Sequence, residues 1–162
     1  MIHSERTATS KNNLHLNITQ INNLIWLGPC DHPLTNSNEF KNLKIDVIIN
    51  CAKEIKYNQT RNYIIESFDI EDEFGDPNVS LSEFMYEIAD KIEEYVKLNK
   101  RIYIHCVRGM CRSPCVLIFY LMEKKNYTYF DAYEFVKKLR PVIDLNDNFI
   151  NELRGIEDIR LY

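Results

Sequence analysis

The chain has 162 residues, of which 45% are hydrophobic and 27% charged, values typical of one soluble globular domain. Its 24 acidic and 20 basic side chains give a net charge of -4, which argues against general binding to nucleic acid or to anionic membranes. No apolar run in the sequence approaches the roughly 20 residues of a membrane-spanning helix.

The chain contains five cysteines, Cys30, Cys51, Cys106, Cys111 and Cys115. An odd number, with three of them inside ten positions, argues against a disulfide framework and favours a reducing compartment. Because the first residues carry no apolar signal-peptide core, we expect a cytoplasmic protein, with the nucleus and the virion as further locations. No Cys-x-x-Cys pair is present in the sequence and only His105 adjoins the cluster, so we expect no metal site.

Residues 1–17 are polar and lack periodicity, which predicts a flexible N-terminal segment or partner-binding arm ahead of one domain at residues 18–162. Within and just after this segment, Leu14, Leu16 and Ile18 alternate with polar residues in a pattern typical of a short strand. Such a strand could be exchanged between subunits. The sequence therefore leaves open a monomer and a homodimer formed through the N-terminal segment.

Four short apolar runs have the length and residue types of buried strands: residues 24–27, 45–50, 63–70 and 102–105. Apolar residues at helical spacing predict helices over residues 81–96, over 132–139 and around 149–153. Strands that alternate with helices predict an α/β fold with helices packed on the faces of a sheet.

Local signals mark where two of these helices begin and end. Ser80 with Glu83 forms a capping box in front of the first helix, and Thr128 with Asp131 does so for the second. Pro141 cannot continue a helix and is expected to end the second one.

The segment from residue 102 to 120, IYIHCVRGMCRSPCVLIFY, predicts a strand, a tight loop and a helix. The backbone N–H groups that could curl around one dianion belong to six consecutive residues: Val107, Arg108, Gly109, Met110, Cys111 and Arg112. The N-terminus of the following helix would point its positive end at the same place. Gly109, in the middle of the loop, permits a backbone conformation that other residues resist.

The side chains of this loop complete a phosphate site. Arg112 can grip two phosphate oxygens with its planar fork, and the same field should stabilise a thiolate at Cys106. A thiolate at the floor of such a cradle is an in-line nucleophile toward phosphorus. Ser113 could hydrogen-bond the sulfur and help it leave, while His105 is expected to orient the loop rather than act as a base. A buried inert thiol is the alternative for Cys106, but the spacing and the strand-loop-helix context argue against it.

The residues His105, Cys106, Gly109, Arg112 and Ser113 resemble the active-site signature of the dual-specificity protein phosphatases, within the protein tyrosine phosphatase superfamily. Further similar stretches lie at residues 23–28, 45–50, 120–122, 132–136 and 140–146. The resemblance implies a central, mostly parallel sheet of about five strands with helices on both faces. It also implies hydrolysis of phosphotyrosine and phosphoserine or phosphothreonine on a phosphorylated protein substrate, through a phosphocysteine intermediate. We expect no cofactor, because the loop and Arg112 supply the charge stabilisation, and no nucleic-acid or membrane partner.

In that family the general acid is an Asp on a mobile loop after a strand, about thirty residues before the cysteine. Asp72 fits this position and is our prediction for the acid. Asp69 and Asp76 compete with it, the first inside a predicted strand and the second inside a short insertion, residues 73–78, that departs from the family pattern. A family Asn that braces the phosphate loop corresponds to Asn146, but Leu145 stands where the family usually has Pro. We therefore expect Asn146 only to support the site.

The sequence leaves other functions open. Absence of a Trp-Pro-Asp loop and of a tyrosine-rich segment favours a shallow, dual-specificity pocket. A phosphate-recognising module without turnover is one alternative, although Cys106, Arg112 and Asp72 are all in place. A phosphatase of RNA 5′ ends, lipids or sugars is another, against which the acidic chain and the Arg-Ser ending of the loop argue.

Two loop residues have two interpretations each. Cys111 could trap an oxidised Cys106 as a disulfide, or it could replace a small residue common at that position. Arg108 at the rim could favour a second acidic or phosphorylated group on the substrate, or it could be a solvated surface arginine.

Overall fold

The structure of the protein, a computed structural model, describes residues 13–58, 62–72 and 81–162. A 3-10 helix at Leu14–Leu16 precedes five strands and six helices in these ranges. In chain order they are β1 Thr19–Gln20, β2 Ile25–Gly28, α1 Asp31–Thr35, α2 Asn38–Asn42, β3 Val47–Asn50, β4 Ile64–Ser67, α3 Leu81–Lys97, β5 Ile102–His105, α4 Arg112–Lys125, α5 Tyr129–Leu139 and α6 Asp147–Arg160.

The five strands form one sheet in the order β1-β2-β5-β3-β4. β2, β5, β3 and β4 are parallel, and β1 pairs antiparallel with β2 at one edge. The register places Gly28, His105, Asn50 and Ser67 in one row at the carboxyl ends of the parallel strands. Loops leaving parallel strands meet at this edge, so the residue after the central strand β5, Cys106, lies in the middle of it. The predicted mostly parallel five-stranded sheet is confirmed.

Both faces of the sheet are covered by helices, as predicted. Alternate residues of β2, β5 and β3, such as Leu27, Ile104 and Ile49, pack with α3, α4, α5 and α6 in the larger core cluster. The residues between them, Trp26, Tyr103 and Ile48, pack with α2 on the other face. Strands buried on both faces read as continuous apolar runs, which is why the sequence shows them clearly. Each fully buried Ile or Leu adds about 1.5–3 kcal/mol of transfer free energy.

α4 is the most enclosed helix of the described chain, since residues 112–122 are all buried. It packs on the sheet between α3 and α5 and has no polar face over its first three turns. α5 begins where its cap predicts, because the Thr128 side chain accepts a hydrogen bond from the Asp131 backbone N–H. It ends at Leu139, two residues before Pro141. Ser80 lies outside the described residues, as does the side chain of Glu83.

The run at residues 63–70 is not the buried strand that we predicted. β4 covers only residues 64–67 and lies at the edge of the sheet, where the side chain of Ile64 is 43% exposed. Phe68 and Ile70 are buried, but they lie in the irregular segment that follows. The apolar run therefore contains an edge strand followed by two buried side chains of a loop. Hydrophobic periodicity alone cannot distinguish this arrangement from one buried strand.

The short strand predicted at residues 14–18 is also wrong. Leu14–Leu16 form a 3-10 helix, and the strand begins only at Thr19. The 3-10 helix is tied to α1, because Nε2 of His32 bonds the Leu16 carbonyl oxygen at 2.6 Å. A carbonyl oxygen only accepts, so Nε2 donates this bond, and Nδ1 forms a second hydrogen bond with Ser37 Oγ at 2.8 Å.

α1 and α2 were not predicted from the sequence, because each has five residues and is too short for a periodic pattern. The one local signal was Ser37, whose side chain caps α2 by accepting from the Phe40 backbone N–H. Across the described residues, no helix combines the length and the apolar character needed to cross a membrane.

Candidate active site

The predicted phosphate loop lies between β5 and α4. Gly109 has φ of 65°, in the left-handed region that favours glycine. A Cβ at this position would also lie 2.5 Å from the Gly28 carbonyl oxygen and 3.0 Å from Nη2 of Arg140. Gly109 is therefore required both for its backbone conformation and for the close approach of the loop to β2.

The Cys106 side chain is buried at the base of the loop, and the Ser113 hydroxyl donates to its sulfur at 3.3 Å. Nδ1 of His105 donates to the Cys106 carbonyl oxygen at 2.7 Å, and Nε2 accepts from the Tyr57 hydroxyl, also at 2.7 Å. This arrangement fixes a neutral imidazole, and burial lowers the pKa of His105 to about 4. Both ring nitrogens are occupied, so His105 holds the loop backbone and is not free to accept a proton from Cys106.

Arg112 is 4% exposed, and its terminal nitrogens are held by an acid that the sequence analysis missed. Nη1 and Nη2 donate to the two carboxylate oxygens of Glu54 at 2.7 Å and 2.6 Å. Nη1 also donates to the Ile70 carbonyl oxygen at 3.1 Å. Nε is buried and has no hydrogen-bond partner among the residues that the structure describes. Among the described contacts, three of the five N–H groups are used, and the fork formed by Nε and Nη2 is left for a ligand.

The loop that carries Glu54 is shaped by Asn50 at the end of β3. The buried Asn50 side chain donates to the Ile55 carbonyl oxygen at 2.8 Å and accepts from the Ala52 backbone N–H at 3.0 Å. The same loop carries Tyr57, the partner of His105. Glu54 lies in the loop after β3. The chain has 24 acidic residues, and no local sequence motif distinguishes Glu54 from the others.

Asp72, the predicted general acid, faces the free edge of Arg112. Its Oδ1 lies 3.7 Å from Nε of Arg112, and its side chain is exposed at a pocket that Cys106 and Arg112 also line. Asp69, the competing acid, forms an ion pair with Lys56 at 3.2 Å and does not line this pocket. Asp76 and the insertion at residues 73–78 lie outside the described residues.

Asn146 connects the acid to the last helix. Its side-chain Nδ2 donates to the Asp72 carbonyl oxygen at 2.9 Å, while Oδ1 caps α6 by accepting from the Phe149 backbone N–H at 2.9 Å. Only its backbone N–H reaches the phosphate loop, at the Cys111 sulfur, 3.4 Å away. The loop itself is braced by the backbone N–H of Asp144, which donates to the Met110 carbonyl oxygen at 2.7 Å.

Cys111 is half-buried, and burial raises its pKa to about 12, with the Asp72 carboxyl acting in the same direction. Whether Cys111 traps an oxidised Cys106 or only fills the place of a small residue stays a prediction. All five cysteines are free thiols in the structure. Arg108 is exposed at the pocket rim, with Asp144 lining the same pocket.

These side chains surround a pocket of about 170 Å³. Its lining residues are Asp72, Cys106, Arg108, Met110, Cys111, Arg112 and Asp144. Sulfur lies at the base, an arginine fork lies beside it and a carboxylate lies at the rim, which is the set needed for in-line attack on phosphorus with protonation of the leaving oxygen. In the described part of the chain, no cluster of three or more His, Cys, Asp or Glu side chains could hold a metal ion.

The sheet is mostly parallel, its central strand is followed by a buried cysteine, and the loop after it closes on an arginine at the start of a helix. This arrangement defines a protein of the protein tyrosine phosphatase-like fold. Residues 25–159 match the family model described as the catalytic domain of dual specificity phosphatases, so the chain belongs to this family.

Relatives of the chain carry names from the same family. Human dual specificity protein phosphatase 7 is 29% identical over 140 residues, which cover 85% of this chain and 32% of that protein. A probable rhodanese domain-containing dual specificity protein phosphatase of Dictyostelium discoideum is 29% identical over 85% of this chain and 28% of its own length. The chain thus spans about a third or less of these relatives. Putative tyrosine phosphatase 123R of Invertebrate iridescent virus 6 is 28% identical over 86% of this chain and 91% of its own length.

Solved structures show the same fold. Human DUSP28 superposes with a TM-score of 0.77 at 19% identity, covering 90% of this chain and 95% of that one. The human tyrosine phosphatase-like serine/threonine/tyrosine-interacting protein superposes with a TM-score of 0.76 at 24% identity, covering 90% and 98%.

Proposed function

We propose that the chain is a dual-specificity protein phosphatase, which hydrolyses phosphotyrosine and phosphoserine or phosphothreonine through a phosphocysteine intermediate. The observation that carries this proposal is Nε of Arg112, which has no hydrogen-bond partner among the described residues, because a buried guanidinium N–H without a partner is costly unless a ligand completes it. A phosphate dianion against the Nε and Nη2 fork would satisfy it and would take the place now held by the Asp72 carboxylate at 3.7 Å.

In the first step the Cys106 thiolate attacks phosphorus, so that an S–P bond forms while the bond from phosphorus to the leaving oxygen breaks. Asp72 gives a proton to that oxygen. In the second step a water attacks phosphorus, Asp72 takes the water's proton, and the S–P bond breaks to return the thiolate. The Ser113 hydroxyl, 3.3 Å from the sulfur, stabilises the departing thiolate. Arg112 and the loop amides hold the phosphoryl oxygens in both steps, and no metal or organic cofactor is required.

The rim supports protein substrates of both kinds. The pocket of about 170 Å³ is lined by no aromatic side chain among the described residues, so nothing there demands a phenyl ring. Arg108 is the rim cation, and Asp144 and Asp72 lie beside it. A lipid headgroup or an RNA 5′ triphosphate brings further phosphates next to the reacting one, and the Asp144 carboxylate at the rim disfavours them. The phosphorylated partner is therefore proposed to be a protein.

The test is hydrolysis of a phosphotyrosine peptide, a phosphothreonine peptide and p-nitrophenyl phosphate, with a thiol reductant and a chelator. Wild type is expected to turn over all three. Cys106→Ser should abolish turnover, and Arg112→Lys should reduce it strongly because a lysine cannot form the fork. Cys30→Ser, a buried cysteine outside the loop, is the matched control and should retain activity.

Asp72→Asn should lose about 10²- to 10⁴-fold with the peptides and much less with p-nitrophenyl phosphate, whose leaving group needs little protonation. A small loss with the peptides would transfer the acid role to Asp76. Turnover of a phosphoinositide or an RNA 5′ triphosphate in preference to the peptides would overturn the substrate assignment. Phosphopeptide binding without any turnover would favour the recognition module.

A further inference from the structure

Arg140 is a buried cation behind the phosphate loop that the mechanism does not use. It follows α5 and is 1% exposed. Its Nε donates to the Gly109 carbonyl oxygen at 2.7 Å, and its Nη2 donates to the Arg108 carbonyl oxygen at 3.1 Å. Both acceptors belong to the loop that closes over Cys106. None of its hydrogen-bond partners in the described chain is a carboxylate, so the guanidinium donates there only to neutral oxygens.

The other donors of Arg140 reach residues 13–20, which combine the described end of the predicted N-terminal arm with β1 and are called the N-terminal segment from this point. Nη1 donates to the Asn17 carbonyl oxygen at 2.5 Å and to Oγ1 of Thr19 at 3.1 Å, and Nη2 donates to the His15 carbonyl oxygen at 2.7 Å. Five N–H groups thus meet five acceptors, two from the loop and three from the N-terminal segment. The guanidinium has no spare donor, so its position is fixed from both sides.

These contacts determine where the loop amides point. In a trans peptide unit the C=O and the N–H point in opposite directions. The Arg108 carbonyl shares its peptide unit with the Gly109 N–H, and the Gly109 carbonyl shares its unit with the Met110 N–H. Because Arg140 holds both carbonyl oxygens at the back of the loop, it directs both N–H groups toward the front. Arg108 and Met110 line the pocket there.

We infer that Arg140 and the N-terminal segment form a positioning unit for the phosphate loop, so that the segment is a working part of the anion site rather than a separate arm. The inference rests on the proposed function only in taking phosphate as the ligand of the loop. The segment is itself anchored outside the site. His32 of α1 bonds the carbonyl oxygen of Leu16, between the two carbonyls that Arg140 uses.

The unit predicts that changes far from the pocket weaken anion binding. In the full chain, Thr19→Val removes one of the five acceptors without changing side-chain shape. His32→Ala removes the anchor of the segment and contacts no loop residue in the described hydrogen bonds. Thr35→Val is the matched control, since within the described part of the chain the Thr35 hydroxyl donates only to the Asp31 carbonyl oxygen of its own helix. Arg140→Lys retains the charge but cannot reach all five acceptors.

The readout is alkylation of Cys106 by iodoacetamide, followed site by site with mass spectrometry, and the protection that inorganic phosphate gives. Arg140→Lys should raise the phosphate Kd about tenfold or more, the fold-change for losing one charge-assisted hydrogen bond. Thr19→Val and His32→Ala should raise it about threefold to tenfold, and Thr35→Val should leave it unchanged. Circular dichroism establishes that each variant is folded, and a role in folding alone would lower the melting temperature without moving the Kd.

Wild-type values of the phosphate Kd in both Thr19→Val and His32→Ala would overturn the inference, even if Arg140→Lys fails to fold. The assay needs no turnover. A protein that binds phosphate but hydrolyses nothing would refute the proposed phosphatase activity and leave the positioning unit intact. If phosphate gives wild type no protection at all, the loop is not a phosphate site and the positioning unit has no anion to serve.

Discussion

Removal of the Glu54 carboxylate is the sharpest test of how the site is built. Glu54 accepts one hydrogen bond from each terminal nitrogen of Arg112. In the described contacts, the N–H of Nε and the second N–H of Nη2 then form the only fork that faces the pocket. In Glu54→Ala the guanidinium keeps its bond to the Ile70 carbonyl oxygen but can rotate about its long axis. Phosphate then has to bind a side chain that is no longer preorganised, which costs affinity.

The magnitude follows from the burial of the two partners. Hydrogen bonds to charged groups are worth about 1.5–3 kcal/mol, but the Glu54 side chain is 53% exposed, so solvent screens much of the interaction. We therefore expect a loss near 1.5 kcal/mol, which is about tenfold in kcat/KM. Glu54→Gln should also lose activity, because its amide offers one acceptor and turns a donor toward the other guanidinium nitrogen.

The assay compares kcat/KM for a phosphotyrosine peptide and the inhibition constant of inorganic phosphate. Both should worsen in parallel in Glu54→Ala. Glu71→Gln is the matched control. Glu71 is an exposed acid that pairs with Lys53 at 2.6 Å, and it lines a groove beside the pocket that Glu54 also lines. Values within twofold of wild type for Glu54→Ala would refute the reasoning and leave the Ile70 carbonyl as sufficient to hold Arg112.

The pair also predicts a pH dependence. Hydrogen bonds from Arg112 lower the pKa of Glu54 below its usual 4.5. The carboxylate is therefore ionised, and the pair intact, at all pH values above 4.5, and the pair is lost only as pH falls through the lowered pKa. The difference in kcat/KM between wild type and Glu54→Ala should stay constant from pH 5 to 7 and shrink only below pH 4.5.

Three further predictions concern the backbone, the acid loop and acid stability. Gly109→Ala places a Cβ 2.5 Å from a β2 carbonyl oxygen at a positive φ, so it should cost about 2–3 kcal/mol, or roughly 4–12 °C in melting temperature. Gly155→Ala, which meets nothing within 4 Å inside α6, should stabilise slightly. Asn146→Asp keeps the α6 cap but loses the donor to the Asp72 carbonyl oxygen, so peptide turnover should fall while the melting temperature stays unchanged. Asn146→Ala loses the cap as well, and its free energy of unfolding should fall by about 1 kcal/mol. His105 has a pKa of about 4 in the folded state against 6.5 in the unfolded one, so the unfolded chain binds its proton first as the pH falls. The free energy of unfolding, measured with denaturant, should therefore fall by up to about 3 kcal/mol from pH 6.5 to pH 4. His105→Asn should make that free energy less dependent on pH over the same range.

The relation of sequence to structure differs between the parts of the site. Cys106, Gly109, Arg112 and Ser113 lie within eight consecutive residues, so their chemistry could be inferred from a local pattern. A strand before them and a helix after them are enough to gather the loop amides and a positive helix end at one point. Asp72 was placed near the cysteine by family resemblance, and the structure brings it to 3.7 Å from Arg112.

Neither Glu54 nor Arg140 could be found in this way. Glu54 and Arg112 are 58 residues apart, and Arg140 meets Asn17 across 123 residues. Arg140 lay inside a stretch that resembles the family, yet an arginine after a helix reads as an exposed charge until the burial is known. Residues 1–17 were predicted to be a flexible or partner-binding arm for the same reason. The groups that meet Arg140 in the N-terminal segment are two backbone carbonyl oxygens and the hydroxyl of Thr19, and such contacts leave no pattern of residue types in the sequence.

The sequence by itself determined the buried strands β2, β3 and β5, which are short apolar runs, and the loop that closes on Arg112, because both depend on neighbours in the chain. Only the tertiary structure decided how that loop is held. The row of strand ends formed by Gly28, His105, Asn50 and Ser67 brings their separate loops to one edge. Contacts made there depend on distances in space between residues far apart in sequence, and a buried guanidinium can be completed only by acceptors that the whole fold supplies.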